Sequence, residues 1–137
     1  MNAGEALLVA GMLHLGFQAT VTGVVYPALA EVDDDGWPRA HDAHSRRITR
    51  LVAPVYVLLA GACLWVLIAG PHDALLLVAV AGAAVSGVTT MAVAAPTHGR
   101  LGRGRTSSAV RRLLIADAVR LVGAVVCAGC ALAWFVG

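Results

Sequence analysis

The sequence predicts an all-α integral membrane protein, a bundle of four transmembrane helices with both termini on one face. Three observations predict it. The chain has 137 residues, 59% of them hydrophobic and only 13% charged, where a soluble domain carries roughly a quarter. Mean hydropathy is +0.80. Four apolar runs reach the ~20 residues that a bilayer core demands. The ten basic residues, all arginine, gather on one side of those runs.

The first span runs from about Glu5 to Leu29 and ends near Pro27. The second is apolar from Leu51 to Ala69, where Gly70-Pro71 stops it. The third runs from about Asp73 to Ala95 and is closed by Pro96; the fourth runs from Leu113 to about residue 136, interrupted by Asp117 and Arg120. Lipid admits only helices or closed barrels, because unpaired backbone groups find no water there. The runs lack the two-residue alternation of barrel strands. The expected domain is therefore a single bundle over 1–137, with spans at about 5–29, 51–69, 73–95 and 113–136.

Arginine placement orients the bundle. Arg39, Arg46, Arg47 and Arg50 separate spans one and two, and Arg100, Arg103, Arg105, Arg111 and Arg112 separate spans three and four. The opposite side has none. The positive-inside rule places both long loops in the cytoplasm and both termini outside. Ala28-Leu29-Ala30 resembles a signal-peptidase site, but no basic residue precedes the apolar run, so the first helix is expected to be retained. Pro38 suits a first helical turn and Trp37 the membrane interface, so a helix from Arg39 is expected to enter span two, kinked at Pro54. Thr106-Ser107-Ser108 is expected to cap a helix entering span four, and residues 99–105 to form a flexible loop. Gly82/Ser86, Ala83/Gly87, Gly123/Cys127 and Ala124/Ala128 are small residues four apart, read as helix seams.

Polar side chains inside the spans are costly and ask for a reason. Asp117 and Arg120 share a face of span four, as a neutralising ion pair, a snorkelling arginine, or the border of a polar cavity. His41 and His44 share a face ahead of span two, and Arg47 extends that stripe. His98 sits just past Pro96, Tyr26 at the inner end of span one, and Thr89 and Thr90 in the inner half of span three. All four helices thus bring polar groups to one depth. Imidazoles at this spacing suit a zinc, copper or iron ion held by His41, His44 and His98, with Glu31 or Asp42 as carboxylate candidates. They equally suit a general base beside an anion-holding arginine, or simple interface decoration.

His14 and Gln18 form a separate pair on span one, read either as interhelical hydrogen-bond partners or as a ligand and proton-relay pair. Cys127-Ala-Gly-Cys130 has redox spacing. It lies at the C-terminal part of a helix, where the dipole opposes a thiolate, so packing is the expected role of these cysteines and of Cys63. Basic residues nowhere interleave with exposed aromatics, which argues against nucleic acid as a partner.

The pattern Val25-Tyr26-Pro27, the histidine-arginine helix Ala40 to Arg47, Pro96-Thr97-His98-Gly99-Arg100-Leu101 and Asp117-Ala-Val-Arg120 resembles the small four-helix bacterial membrane proteins related to the anthrone-oxygenase-like family. The layout covers most of the chain. The resemblance implies a bacterial cytoplasmic-membrane protein and an oxygenase or oxidoreductase of polyketide pathways that oxidises an aromatic anthrone to a quinone without a standard flavin or haem motif. It implies Tyr26, His44, His98, Asp117 and Arg120 as catalytic residues. His98 and Asp117 stand where many relatives carry asparagine. Arg47, Thr89, Thr90, Gln18 and His14 are the expected substrate-binding residues. The expected cofactor is either none or a histidine-bound metal. Expected partners are the bilayer, a hydrophobic small molecule and, where helices self-associate, further copies. The alternative class is non-catalytic: a small-molecule- or metal-binding membrane protein or an accessory subunit.

Overall fold

The computed structural model describes residues 1–137. It contains helices and no strand. Four helices are long and apolar enough to cross a membrane: α1 (Ala3–Ala30), α2 (Trp37–Ala69), α3 (Ala74–Leu101) and α4 (Ser107–Val136).

Each start has a local cause. At α1, Asn2 and Glu5 form a reciprocal capping box with two bonds of 2.9 Å. Asp73 caps α3 through Leu75 N, and Thr106 caps α4 through Ala109 N. Pro38 occupies the first turn of α2, as its missing N–H permits. The helix then runs unbroken through His41, His44 and Pro54 to Ala69, so the expected helical extension into span two is present.

Pro27 and Pro96 behave differently from expectation. They do not close their helices, which continue to Ala30 and Leu101. Each is preceded by one wide π turn, Val21–Val25 in α1 and Thr90–Ala94 in α3. A proline ring clashes with the carbonyl four residues back and offers no N–H to it; widening the preceding turn accommodates both defects. The segment expected as a loop from residue 99 is therefore helical as far as Leu101.

Packing centres on α4, which meets α1 on one side and α3 on the other, while α2 rests mainly on α1. The α3–α4 seam is made by glycine. A Cβ on Gly82 would lie 2.7 Å from the Gly123 carbonyl oxygen, and one on Gly123 would lie 2.5 Å from Ser86 Oγ. Ser86 in turn donates to the Arg120 carbonyl at 2.8 Å. The end of the bundle nearest the termini is apolar throughout, with Leu7, Leu59, Val66, Leu76, Ala83 and Cys127 in one cluster. Cys63 and Cys130 pack against it, and all three thiols are free.

At the arginine-rich end, Trp37 is buried and its indole N–H donates to the Leu101 carbonyl at 3.2 Å. It ties the start of α2 to the end of α3. Arg105 lies over the same ring at 4.7 Å and donates to the Ala30 and Val32 carbonyls, closing the end of α1.

Candidate functional site

In the arginine-side half, a cavity of about 200 Å3 is lined from all four helices. Tyr26, Phe17 and Val21 come from α1, Ser45, Ile48, Thr49 and Val52 from α2, Thr90, Ala94, Ala95 and His98 from α3, and Arg120 from α4. Its mouth is on the α2 side, where Thr49 is exposed. Apolar walls with a few convergent polar groups are the general form of a small-molecule site.

Arg120 anchors the site, and both it and Asp117 are buried. Their direct approach is 4.0 Å, too long for a hydrogen bond. Gln18 bridges them instead. Its carbonyl accepts from Arg120 Nη2 at 2.8 Å, and its amide donates to Asp117 Oδ1 at 2.6 Å. A guanidinium only donates and a carboxylate only accepts, so this amide orientation is forced. At ~4 Å and an effective dielectric near 20, opposite charges still attract by roughly 4 kcal/mol. The pair is thus held by charge and positioned by Gln18.

Arg120 Nη1 donates to Tyr26 Oη at 3.4 Å. Tyr26 Oη lies 3.2 Å from His98 Nε2, and His98 Nδ1 lies 3.3 Å from His41 Nε2. The same donor logic orders the chain. Tyr26 accepts from Arg120 and gives its one proton towards His98 Nε2. His98 then carries its hydrogen on Nδ1 and donates to His41, whose own hydrogen sits on Nδ1. The result is a line of bonds pointing one way, from the buried guanidinium to the arginine-rich surface.

Most of the expected residues converge. Tyr26, Thr90, His98 and Arg120 line the cavity, with Gln18 and Asp117 directly behind. His44 lies beside them, its ring 5.6 Å from that of His98 and 6.3 Å from that of Tyr26. His41 stacks on Trp37 at 5.3 Å.

Three expected residues stand elsewhere. Arg47 is exposed and does not line the cavity. Thr89 faces a different groove, between α3 and α4, because the turn that aims Thr90 inward rotates its neighbour outward. His14 is fully buried, yet neither ring nitrogen has a hydrogen-bond partner, so it is not the satisfied partner one reading expected. Its ring meets Tyr56 edge-on at 5.0 Å. Tyr56 itself went unread, as one of two aromatics, with Trp65, in the apolar run of span two. Its hydroxyl lies 2.8 Å from Thr90 Oγ1, fixing the threonine at the cavity wall. The signal available was a hydroxyl in an apolar run, which has to find a partner within the bundle.

His41, His44 and His98 do not make a three-donor group disposed to hold a metal ion. Both nitrogens of His98 are engaged in hydrogen bonds, and the rings of His41 and His44 are tilted only 32° and 33° from that of His98. Glu31 and Asp42 add no ligand, and Asp42 instead pairs with Arg46 one turn on.

Two residues of the cavity wall carry a buried polar atom without a partner, Arg120 Nε and Ser45 Oγ, and His44 Nε2, beside Tyr26, is a third such atom. Buried groups of this kind are expensive unless something answers them. A guanidinium N–H with a hydroxyl nearby is suited to an oxygen carrying full or partial negative charge. The chain matches no family model, no curated protein and no solved structure.

Proposed function

We propose that the chain is a membrane-embedded oxidoreductase of the oxygenase kind, acting on a hydrophobic aromatic compound that carries a phenol or keto oxygen, polyketide- or quinone-like. The observation that supports this reading is the unanswered Nε–H of a buried arginine beside a Tyr–His pair in a ring-sized pocket. With the arginine-rich end in the cytoplasm and both termini outside, the pocket opens towards the inner leaflet of the bacterial cytoplasmic membrane. The substrate enters laterally past Thr49 and Val52 and lays its ring against Phe17, Val21 and Ile48.

Arg120 binds the substrate oxygen and stabilises the charge that grows there when an adjacent ring carbon loses its proton. Tyr26 receives that proton as its own passes to His98 Nε2, and His41 carries the charge outward. Dioxygen adds to the carbanion, and the peroxide loses water. A methylene and one dioxygen thus become a carbonyl and one water, with dioxygen as the oxidant. Asp117 and Gln18 act as positioning residues for Arg120. The steps are carried by side chains of this chain alone, Arg120, Tyr26, His98 and His41.

One observation favours a second reading, a site that binds a ring without converting it. Both nitrogens of His98 are occupied, which leaves it no free lone pair facing the pocket. Oxygen uptake by purified protein, with anthrone- and hydroquinone-type compounds, separates the two. The enzyme reading expects saturable uptake that falls at least about a hundredfold in His98→Ala. Binding that persists without uptake selects the second. Unchanged binding and uptake in both His44→Ala and His98→Ala discard the site.

A further inference from the structure

A second cavity lies away from Tyr26 and His98. It occupies about 740 Å3 between α3 and α4 at the arginine-rich end. Its origin is geometric. Gly82, Gly123 and Ser86 bring the two backbones into contact near mid-membrane, and no glycine extends that seam towards the arginine side. The helices part there, leaving Thr89 and Val93 of α3 facing the first turns of α4.

The α4 wall changes character along its length. Ser107, Ser108, Arg111 and Arg112 are polar; Ile115 and Val119, the next two turns, are apolar. At 1.5 Å per residue, Arg111 and Val119 are about 12 Å apart along the axis. Both arginines are exposed, and neither pairs with any carboxylate of the chain. The groove therefore offers two uncompensated guanidinium groups at one end and a hydrocarbon-lined trough at the other, in the direction of the membrane normal.

We propose that this groove holds one anionic phospholipid of the arginine-side leaflet. The phosphate sits between Arg111 and Arg112, whose forked donors match phosphate oxygens, and the serine hydroxyls complete its shell. One acyl chain lies along Ile115 and Val119 against Val93. A soluble anion would use the first half of the groove and leave the second to bulk lipid; an anionic lipid uses both. The site is separate from the Tyr26–His98–Arg120 pocket and does not rest on the enzyme reading.

The test is native mass spectrometry of the full chain released from vesicles of phosphatidylglycerol and phosphatidylcholine. One retained phosphatidylglycerol, preferred over phosphatidylcholine, is expected. Arg111→Gln with Arg112→Gln should weaken its retention roughly thirtyfold, from the worth of two arginines near an anionic surface. Arg100→Gln with Arg103→Gln removes the same charge from outside the groove and should cost less than threefold. Val119→Trp, at a lipid-exposed position, should lower retention without changing charge. Equal retention of phosphatidylcholine, an equal loss in the Arg100/Arg103 variant, or displacement by glycerol phosphate as readily as by the lipid would each overturn the proposal.

Discussion

The two halves of this bundle are held together by different physics. Near the termini, helices meet through Ala3, Leu7, Ala10, Leu76, Ala79 and Ala131. Lipid tails are as apolar as these side chains, so association there depends on close van der Waals fit and on small residues that let backbones touch. At the arginine side, Gln18, Asp117, Arg120, Tyr26, His98 and His41 form one hydrogen-bonded line inside a thinner apolar shell. One half is specified by volume, the other by donor and acceptor matching. A volume-specified region tolerates polar loss and fails on added atoms; a matched network does the reverse.

Substitutions should separate the two. Arg120→Leu is expected to have the largest effect, about 3–5 kcal/mol in unfolding measured in detergent, because it leaves Asp117 buried and uncompensated. Arg120→Leu combined with Asp117→Leu should recover part of that loss, whereas a double variant as unstable as the single one would mean the charges were never coupled. Gly123→Val should follow, at about 1–3 kcal/mol, since its side chain must enter the space held by Ser86 and the Gly82 carbonyl. It should loosen α3 from α4 by cysteine crosslinking yet leave ligand contacts at Tyr26 intact.

Tyr26→Phe should cost only ~1 kcal/mol of stability, the worth of a hydrogen bond, while abolishing the polarised link between Arg120 and His98. Its informative readout is binding of a phenol compared with its methyl ether: wild type should prefer the phenol, and the variant should not. Arg47→Gln, at an exposed site off the network, should change unfolding by less than about 0.5 kcal/mol and leave binding alone. A large effect there would mean the histidine stripe extends further than the packing indicates.

Hydropathy and caps made the fold legible. Apolar length located four spans, Thr106 marked the start of α4, and Pro38 the start of α2. The end of α1 was read to within a residue, at Leu29 against Ala30, but the end of α3 was set too early because a proline usually stops a helix, and nothing local announces that a π turn will carry the chain past it to Leu101. The site was legible in part. Tyr26, His98, Asp117 and Arg120 drew attention as polar groups at one depth, but periodicity could not say that Arg47 would face out, or that Thr90 and not Thr89 would face in.

By itself the sequence determined that lipid, and not water, surrounds this chain, because 59% hydrophobic residues arranged in four long runs cannot be covered by so few charges. It also determined that the costly side chains lie towards one end. Only the tertiary structure decided how they satisfy one another. Asp117 and Arg120 are three residues apart on one helix, yet they are joined through Gln18 on another, and Tyr26 meets His98 across the bundle. Such partners are chosen by the rotation and depth of packed helices, which the glycine seam and the two widened turns set, and no single helix carries that information.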